Sequence, residues 1–399
     1  MNIKLSYNLP KQFRKIASTP LRSLSVVCVS LVVGLSQLSC ERTEEREISP
    51  SFEIDENSSE YVIEIDSTRF VSEDISYFST IHETTIAGVS KDGAKIVIYD
   101  FKIDSLRELD LMGEGPGKTD RIFDVSILRE NVIFVMDQIN AYVYDFDGTL
   151  ISKCGPLANK VNYGRSVHAI PISGDKVAFA AINPMVEVEN VNYFNNEDNF
   201  QYATLNINSC ELKYGGILGQ DNLYRENFYA VRMRPILTRL NDEFLISLMP
   251  FNDKLEFINA SNFELENSVR LISENFDADY FANVNSLEEQ SKIIQLNSSY
   301  RHLLASDDGE KLLVQYKRGT EDYISAEDLM GSSKGTKIGA NKYFELYSLK
   351  NKQKMGNDIL APSNLIPLYY QSDHLLLFYS TIHDEKEGLY LHFGHIRSS

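Results

Sequence analysis

Short runs of apolar and aromatic residues alternate with polar turns between Ile122 and Lys153, and this stretch has the most regular pattern in the chain. Four runs rich in Val, Ile, Phe and Tyr cover residues 124–128, 132–137, 141–145 and 150–153, and these residue types favour β-strands. Asp147 and Gly148 separate the last two runs, and Asp-Gly is typical of a tight hairpin because that turn requires positive φ angles. The segment predicts a four-stranded antiparallel sheet.

The second run, VIFVMD from Val132, is almost continuously apolar, as is typical of a strand that is covered on both faces. One sheet of this size cannot cover both of its own faces, so we expect similar sheets to pack against it. Runs that match its third strand recur along the chain, and most of them follow a second buried run. The six third-strand runs are VIYD at Val97, YVYD at Tyr142, ATLN at Ala203, LEFI at Leu255, FELY at Phe344 and LYLH at Leu389.

The spacing of these runs predicts the architecture. Repeats of 45 to 89 residues, each with four strands, are typical of a β-propeller. The sixth repeat shows three strands before the chain ends, whereas the run from Tyr61 to Ile65 has no neighbouring partner. We therefore predict an all-β fold over residues 60–399, a six-bladed β-propeller with four-stranded antiparallel blades whose ring is closed by the N-terminal strand.

The longer repeats contain insertions at residues 183–201, 273–299 and 318–342. In the second insertion, Ser286 to Glu289 form a capping-box pattern that predicts a short helix through Ile294. Long loops on rigid scaffolds often carry function, so these insertions are candidates for partner contacts. Insertions that are tolerated without any role are the alternative.

The N-terminus has the pattern of a secretory signal peptide over residues 1–39. Five basic residues precede an apolar run from Leu24 to Leu35, which is too short to span a bilayer comfortably. Cys40 lies where a bacterial lipoprotein signal is cut and the cysteine acylated; Ser39 fits such a site, but Gln37 stands where Leu or Val is usual. A secreted protein cut nearby is the alternative. Residues 40–59 are charged and Ser-rich, which predicts a flexible tether.

The net charge of −18 would fall to about −23 after removal of the basic signal segment. Such an acidic chain is not expected to bind nucleic acid or to adhere to an anionic membrane through basic patches. Cys154 and Cys210 lie in different repeats. This arrangement predicts no disulfide framework, and the sequence leaves a single bridge between the two cysteines open.

The run GEGPG at residues 113–117, followed by DVSIL, VIFVMD and YVYDFDG, resembles the six-bladed TolB-like or NHL-like propeller lipoproteins of Bacteroidetes. The acidic run at residues 41–47 resembles the tether of such lipoproteins. The resemblance implies the propeller fold and an outer-membrane location, with surface exposure left open, but no catalytic residue. A phosphate loop at GEGPGK is not expected, because the Gly-Lys-Ser/Thr ending is absent; the glycines fit a crossing between blades.

The central channel is the candidate site, because the first strand of every blade lines it. Cations dominate the residues that we place there, and they would bind a carboxylate or a sulfated or uronic sugar through charge-assisted hydrogen bonds. Pairing of these Arg and His residues with acids of neighbouring blades is the alternative. The candidate ligand-binding residues are Asp124, Arg165, His168, Arg232, Arg234, Tyr300, Arg301 and His302.

The leading hypothesis is an envelope lipoprotein whose propeller binds a protein, a peptide or an anionic glycan. A hydrolase or lyase that acts in the channel and a structural subunit of an outer-membrane complex are the alternatives. The motifs Gly-x-Ser-x-Gly, His-Glu-x-x-His and Cys-x-x-Cys are absent from the sequence. One Asp among several cations is a poor cage for calcium or zinc, which disfavours a metal-dependent, lactonase-like enzyme. We expect no metal and no cofactor, and binding is favoured over catalysis.

Overall fold

The computed structural model describes thirteen segments of the chain, and it consists almost entirely of β-strands. The described residues are 51–54, 60–115, 117–157, 159–161, 168–173, 175–183, 200–216, 234–278, 287–325, 341–362, 364–372, 375–383 and 386–398. In these segments, no helix is both long and apolar enough to cross a membrane. Cys40 and the predicted signal peptide lie outside the described residues.

Two strands, β1 (Glu53–Ile54) and β2 (Tyr61–Ser72), precede three blades that are each made of four consecutive strands. Blade 1 contains β3 (Ile75–His82), β4 (Thr85–Ser90), β5 (Lys95–Asp100) and β6 (Ser105–Asp110). Blade 2 contains β7 (Asp124–Arg129), β8 (Val132–Met136), β9 (Ala141–Asp145) and β10 (Leu150–Cys154). Blade 3 contains β11 (Ile170–Ser173), β12 (Lys176–Ala180), β13 (Tyr202–Asn206) and β14 (Leu212–Gly215).

The second half of the chain forms three further blades and a helix. Blade 4 contains β15 (Ile236–Arg239), β16 (Phe244–Leu248), β17 (Lys254–Asn259) and β18 (Leu265–Arg270), and α1 (Leu287–Leu296) follows it. Blade 5 contains β19 (Ser299–Ala305), β20 (Lys311–Lys317), β21 (Lys342–Ser348) and β22 (Gln353–Lys354), with β23 (Ile359–Leu360) also paired to β21. Blade 6 contains β24 (Ile366–Gln371), β25 (Leu375–His383) and β26 (Lys386–Ser398).

The predicted ring closure is confirmed. β2 pairs antiparallel with β26 from Tyr61 opposite Ser398 to Ser72 opposite Leu389, so the N-terminal strand is the fourth strand of blade 6. The first strand of each blade contacts that of the next, and β24 of blade 6 contacts β3 of blade 1. All six predicted third-strand runs lie in the third strands of their blades, so the predicted fold class is confirmed.

The apolar core is divided among the six interfaces between neighbouring blades, with one cluster of buried side chains at each interface. In β8, Val132, Phe134 and Met136 pack toward blade 3, whereas Ile133 and Val135 pack toward blade 1. Successive side chains of a strand point to opposite faces. A strand between two neighbouring blades must therefore be apolar at every position, which explains the run VIFVMD.

Residues 51–54 pack on the propeller, although the sequence assigns them to the tether at residues 40–59. Ser51 forms a bridge with Arg270 of blade 4, and β1 pairs parallel with β22 of blade 5. Phe52 is only 2% exposed, and its ring centroid lies 4.7 Å from that of Tyr347. We call residues 51–54 the N-terminal strap, because they connect blades 4 and 5.

Blades 2 and 3 are joined by a disulfide bond between Cys154 and Cys210. Cys154 ends β10, and Cys210 lies in the turn between β13 and β14. The bridge that the sequence left open is therefore present. It joins two blades across their interface and does not tie together strands of one blade.

The connections between strands agree with the sequence-based predictions wherever they lie in described residues. Gly113, Gly115 and Gly117 lie in the crossing from β6 to β7, and all three have positive φ angles. The predicted helix is present as α1, which extends two residues beyond Ile294. Most of the first and third insertions, at residues 184–199 and 326–340, lies outside the described residues.

Candidate functional site

The first strands of the blades surround a central channel that contains two cavities. We call the end where these strands begin the upper end and the opposite end the lower end. The upper cavity has a volume of ≈ 430 Å³, and the lower cavity has a volume of ≈ 880 Å³. Both volumes fall in the range of about 300–1,000 Å³ that is usual for small-molecule sites.

Five of the predicted site residues line the upper cavity. They come from three blades, and they are His168, Arg234, Tyr300, Arg301 and His302. His168 and Arg234 each lie two residues before the first strand of their blade, and not within it as the sequence suggested. None of the described residues that line this cavity is Asp or Glu. Arg165 and Arg232 lie outside the described residues.

Arg301 occupies an irregular position in β19. The pairing of β19 with β20 shifts between Tyr300 and His302, so Arg301 has no direct partner in the ladder. Such a bulge re-aims the side chain of the extra residue. Arg301 therefore lies within β19 and not just before it, and its side chain is exposed.

Asp124 lies behind the cavity wall and is fully buried, at 0% exposure. Ser79 Oγ donates to its Oδ1 at 2.7 Å, and the backbone N–H of Ala169 donates to its Oδ2 at 2.6 Å. Burial raises the pKa of Asp124 to about 7, because the desolvation of the carboxylate outweighs these hydrogen bonds. Asp124 is not among the cavity-lining residues, so it supports the wall and does not face the ligand space.

His168 lies close to Asp124 and also lines the upper cavity. Its Nδ1 lies 3.9 Å from Asp124 Oδ1, and 57% of its side chain is exposed. The contact is of the kind expected from pairing between neighbouring blades, the alternative raised from the sequence, but its 3.9 Å separation is longer than a hydrogen bond. The surrounding protein lowers the pKa of His168 by desolvation. The imidazole is thereby favoured in its neutral form.

The cations around Arg301 repel one another. Burial, followed by the charges of His168, Lys342 and Arg301, lowers the pKa of His302 to about 3. Burial and then Arg301 lower the pKa of Lys317 to about 8, and the same two causes lower the pKa of Lys342. Burial is the largest cause of each shift, and the smaller part that comes from Arg301 reflects a positive potential that would stabilise a negative charge placed beside it.

Lys317 and Lys342 were not predicted as site residues. They are directly opposite each other in the ladder between β20 and β21, and like charges in that position destabilise a sheet. They are 25 residues apart in the sequence and flank an insertion. Only the strand register reveals that they are neighbours; no motif could have found the pair.

The lower cavity has the opposite character. Its described lining includes the acidic residues Asp242, Glu243, Asp307 and Asp308. Several of them have partners: Asp242 pairs with Arg239, and Asp308 Oδ2 accepts a hydrogen bond from Ser372 Oγ at 2.8 Å. The channel therefore changes from a cationic upper end to a predominantly acidic lower end.

Several other titratable groups lie between blades and outside the channel. Lys354 Nζ lies 2.5 Å from Asp358 Oδ1, and both side chains are buried. Burial, followed by the charge of Asp358, raises the pKa of nearby Glu345 to about 8. His392 in β26 is buried and contacts Thr68 and Ser380. Among the described residues, no three His, Cys, Asp or Glu side chains are grouped as a metal site requires.

Comparison with known proteins gives fold similarity. No family model matches the chain, and no curated protein sequence is similar to it. A member of the DUF4221 family from Bacteroides vulgatus superposes with a TM-score of 0.63 at 11% identity, covering 86% of this chain and 100% of that one. A protein described as exported from Bacteroides fragilis gives a TM-score of 0.50 at 11% identity, covering 88% and 99%. At this identity the similarity shows a shared propeller fold.

Proposed function

We propose that this protein is a binding module of the bacterial cell envelope that takes an anionic group of a protein, peptide or glycan at the upper end of its channel. One observation carries the proposal: the arginines Arg234 and Arg301 line the upper cavity beside the neutral imidazoles of His168 and His302, and no described residue of that lining is acidic. The whole chain has a net charge of −18, so a cationic cavity is a local exception in an acidic protein.

The electrostatics support anion binding rather than a structural role for these cations. Burial is the main cause of the lowered pKa values of His302, Lys317 and Lys342, and repulsion by Arg301 adds to it. Groups that repel one another cost stability, and perturbed pKa values cluster at functional sites. A bound carboxylate or sulfate would relieve this repulsion and accept charge-assisted hydrogen bonds from the Arg301 guanidinium.

The envelope location and the lipid anchor are supported by four features. The N-terminal segment has the pattern of a lipoprotein signal that ends before Cys40. The Cys154–Cys210 disulfide is typical of an oxidising compartment outside the cytoplasm. The similar protein from Bacteroides fragilis is described as exported, and the run around GEGPG resembles TolB-like or NHL-like lipoproteins.

Growth with a fatty-acid analogue should label the wild type but not Cys40→Ala; an unlabelled wild type would refute the anchor.

Anion binding can be measured by isothermal titration calorimetry with a panel of carboxylates, uronic and sulfated oligosaccharides and acidic peptides. We expect at least one probe to bind, and we expect Arg301→Gln to weaken its binding about tenfold or more, which corresponds to about 1.4 kcal/mol. Arg107→Gln is the matched control, because Arg107 is an exposed arginine on β6 that pairs with Asp147. Equal losses in the two variants would contradict the proposal.

One observation favours catalysis in the channel as a second candidate. Asp124 is buried behind His168, and the two side chains approach each other across blades 2 and 3. A carboxylate that hydrogen-bonds to a histidine can orient it as a general base, and the 3.9 Å separation would have to shorten by about 1 Å for such a bond to form. If the channel is catalytic, His168→Gln should abolish turnover of a channel ligand while the ligand still binds. If the wild type binds the ligand without turning it over, the protein is a binding module and not an enzyme for that ligand.

A further inference from the structure

The two cavities share a layer of uncharged lining residues, which we call the waist. The six residues that line both cavities come from five blades, and they are Ser79, Ile170, Pro171, Thr238, Leu304 and Leu368. Four of them are apolar. Ile170 and Leu304 pack against the clusters between blades, but they and Pro171 are only partly buried, so part of their apolar surface is open to the channel.

The waist lies below the cations at a fixed distance along the strands. Leu304 follows Arg301 by three residues in β19, and Pro171 follows His168 by three residues. A strand rises about 3.3 Å per residue, so the waist is roughly 10 Å below the cationic level. A ligand that bound its charge at the cationic level would thus direct an attached tail toward these apolar side chains.

The lower end disfavours a second negative charge. A polyanion that passed the waist would meet the cavity that contains Asp242, Glu243, Asp307 and Asp308, and their carboxylates would repel it. A chain with regularly repeated charges, such as a polyuronate, can therefore place only one of its charged sugar units favourably in the channel. A ligand with one anionic group and an apolar remainder matches both the cations and the waist.

We propose that the channel binds a single carboxylate joined to an apolar group, with the carboxylate at Arg301 and Arg234 and the apolar group inserted toward the waist. This inference rests on the proposed function, because it assumes that the upper end binds anions. The same chemistry is present in a free aliphatic acid and in the C-terminus of a peptide that ends in an apolar residue. Both would place the tail inward and leave the charge near the upper mouth.

Calorimetry with the full propeller can test the proposal with matched small probes. The probes are acetate, hexanoate, hexanamide, acetyl-Ala-Ala-Leu with a free carboxylate, the same peptide as an amide, and trigalacturonate. Each buried CH₂ contributes about 0.8 kcal/mol, so hexanoate should bind at least tenfold more tightly than acetate. Hexanamide should bind at least tenfold more weakly than hexanoate, because it lacks the charge.

Two variants separate the contribution of the carboxylate to binding from that of the apolar tail. Arg301→Gln should weaken acetate and hexanoate by similar factors, whereas Leu304→Asn should remove most of the advantage of hexanoate and leave acetate unchanged. Unchanged acetate binding also shows that the Leu304→Asn variant is folded. Arg107→Gln, on the outer strand of blade 1, should change none of these affinities.

The probes also distinguish the two sources of the ligand. Binding of the free-carboxylate peptide but not of its amide would support a peptide terminus, and hexanoate binding without peptide binding would support a free acid. Equal affinity for acetate and hexanoate, or tighter binding of trigalacturonate than of hexanoate, would overturn the inference and leave anion binding intact. If no probe bound at all, the inference and the proposed anion site would both fail.

Discussion

Individual residues in the channel carry electrostatic costs that a purely structural role does not explain. Asp124 is buried with a pKa of about 7, and Lys317 and Lys342 are like charges directly opposite each other in a ladder. Both arrangements reduce stability at neutral pH. They differ from scattered surface charges because Asp124 lies close to His168 and both lysines interact with Arg301, and His168 and Arg301 line the upper cavity.

Asp124 should make stability depend on pH. Its folded-state pKa of about 7 is raised above the ordinary value of 3.8, so the folded protein holds a proton that the unfolded chain releases. Stability from this group is therefore complete below about pH 4 and is lost as the pH rises toward 7, by at most about 1.4 kcal/mol per pH unit. The lowered pKa values of His302 and His168 change stability with pH in the opposite sense, so the contribution of Asp124 is measured as the difference in slope between the wild type and a variant that cannot titrate.

Asp124→Asn should remove this contribution to the pH dependence, because the amide does not titrate. The measurement is urea denaturation of wild type and variant at pH 5, 6, 7 and 8. The comparison is between slopes with pH, so the contribution of Glu345, whose pKa is also raised to about 8, cancels. Asp147→Asn at an exposed turn is the control and should keep the wild-type slope. Parallel curves for wild type and Asp124→Asn would show that Asp124 ionises normally.

At the scale of elements, the strongest departure from expectation is the N-terminal strap. Its charged and Ser-rich surroundings suggested a tether throughout residues 40–59, yet Phe52 is buried against Tyr347. A two-residue strand gives no alternating pattern, and β22 follows it by about 300 residues in the sequence. Strand pairing at that separation depends on an edge that exists only once blade 5 has folded.

Phe52→Ala should lower the unfolding free energy by about 3 kcal/mol, because it removes a buried aromatic side chain. Ile54→Ala is the matched control on the same strand. Ile54 is 54% exposed, so its loss should cost no more than about 0.5 kcal/mol. Urea denaturation measures both. A neutral Phe52→Ala would mean that residues 51–54 act as a tether after all.

At the scale of the whole molecule, stability depends on closing the ring. Every blade buries both faces against its neighbours, so an open ring would expose two apolar faces. The closing strand β2 comes from the opposite end of the chain from β26. Closure therefore requires contact between residues that are more than 300 positions apart.

A chain that starts at residue 60 should remain a folded monomer, because it retains β2. A chain that starts at residue 74 lacks β2 and exposes the long edge of β26, which can then pair with other copies. Each hydrogen bond lost from this ladder contributes about 1 kcal/mol. Size-exclusion chromatography and circular dichroism should show aggregation or unfolding of the shorter chain only. A monomeric, equally stable shorter chain would contradict closure by β2.

Much of this architecture follows from local pattern. In strands such as VIFVMD, apolar residues at consecutive positions indicate burial of both faces, and this requires repeated sheets. The third-strand runs then predict the number of blades, because each blade contributes one such run. Local pattern succeeds here because the period of a strand and the chemistry of a turn are properties of a few adjacent residues.

Tertiary structure alone decided which distant residues meet. It paired Cys154 with Cys210, seated Phe52 between blades 4 and 5, and placed Lys317 opposite Lys342. It also set apolar residues of several blades in one layer below the cations. The sequence by itself determined the six-bladed propeller and predicted cationic residues in its channel. The depth, neighbours and spacing of those residues were decided by the ring geometry, because they depend on the register between strands that are far apart in the chain.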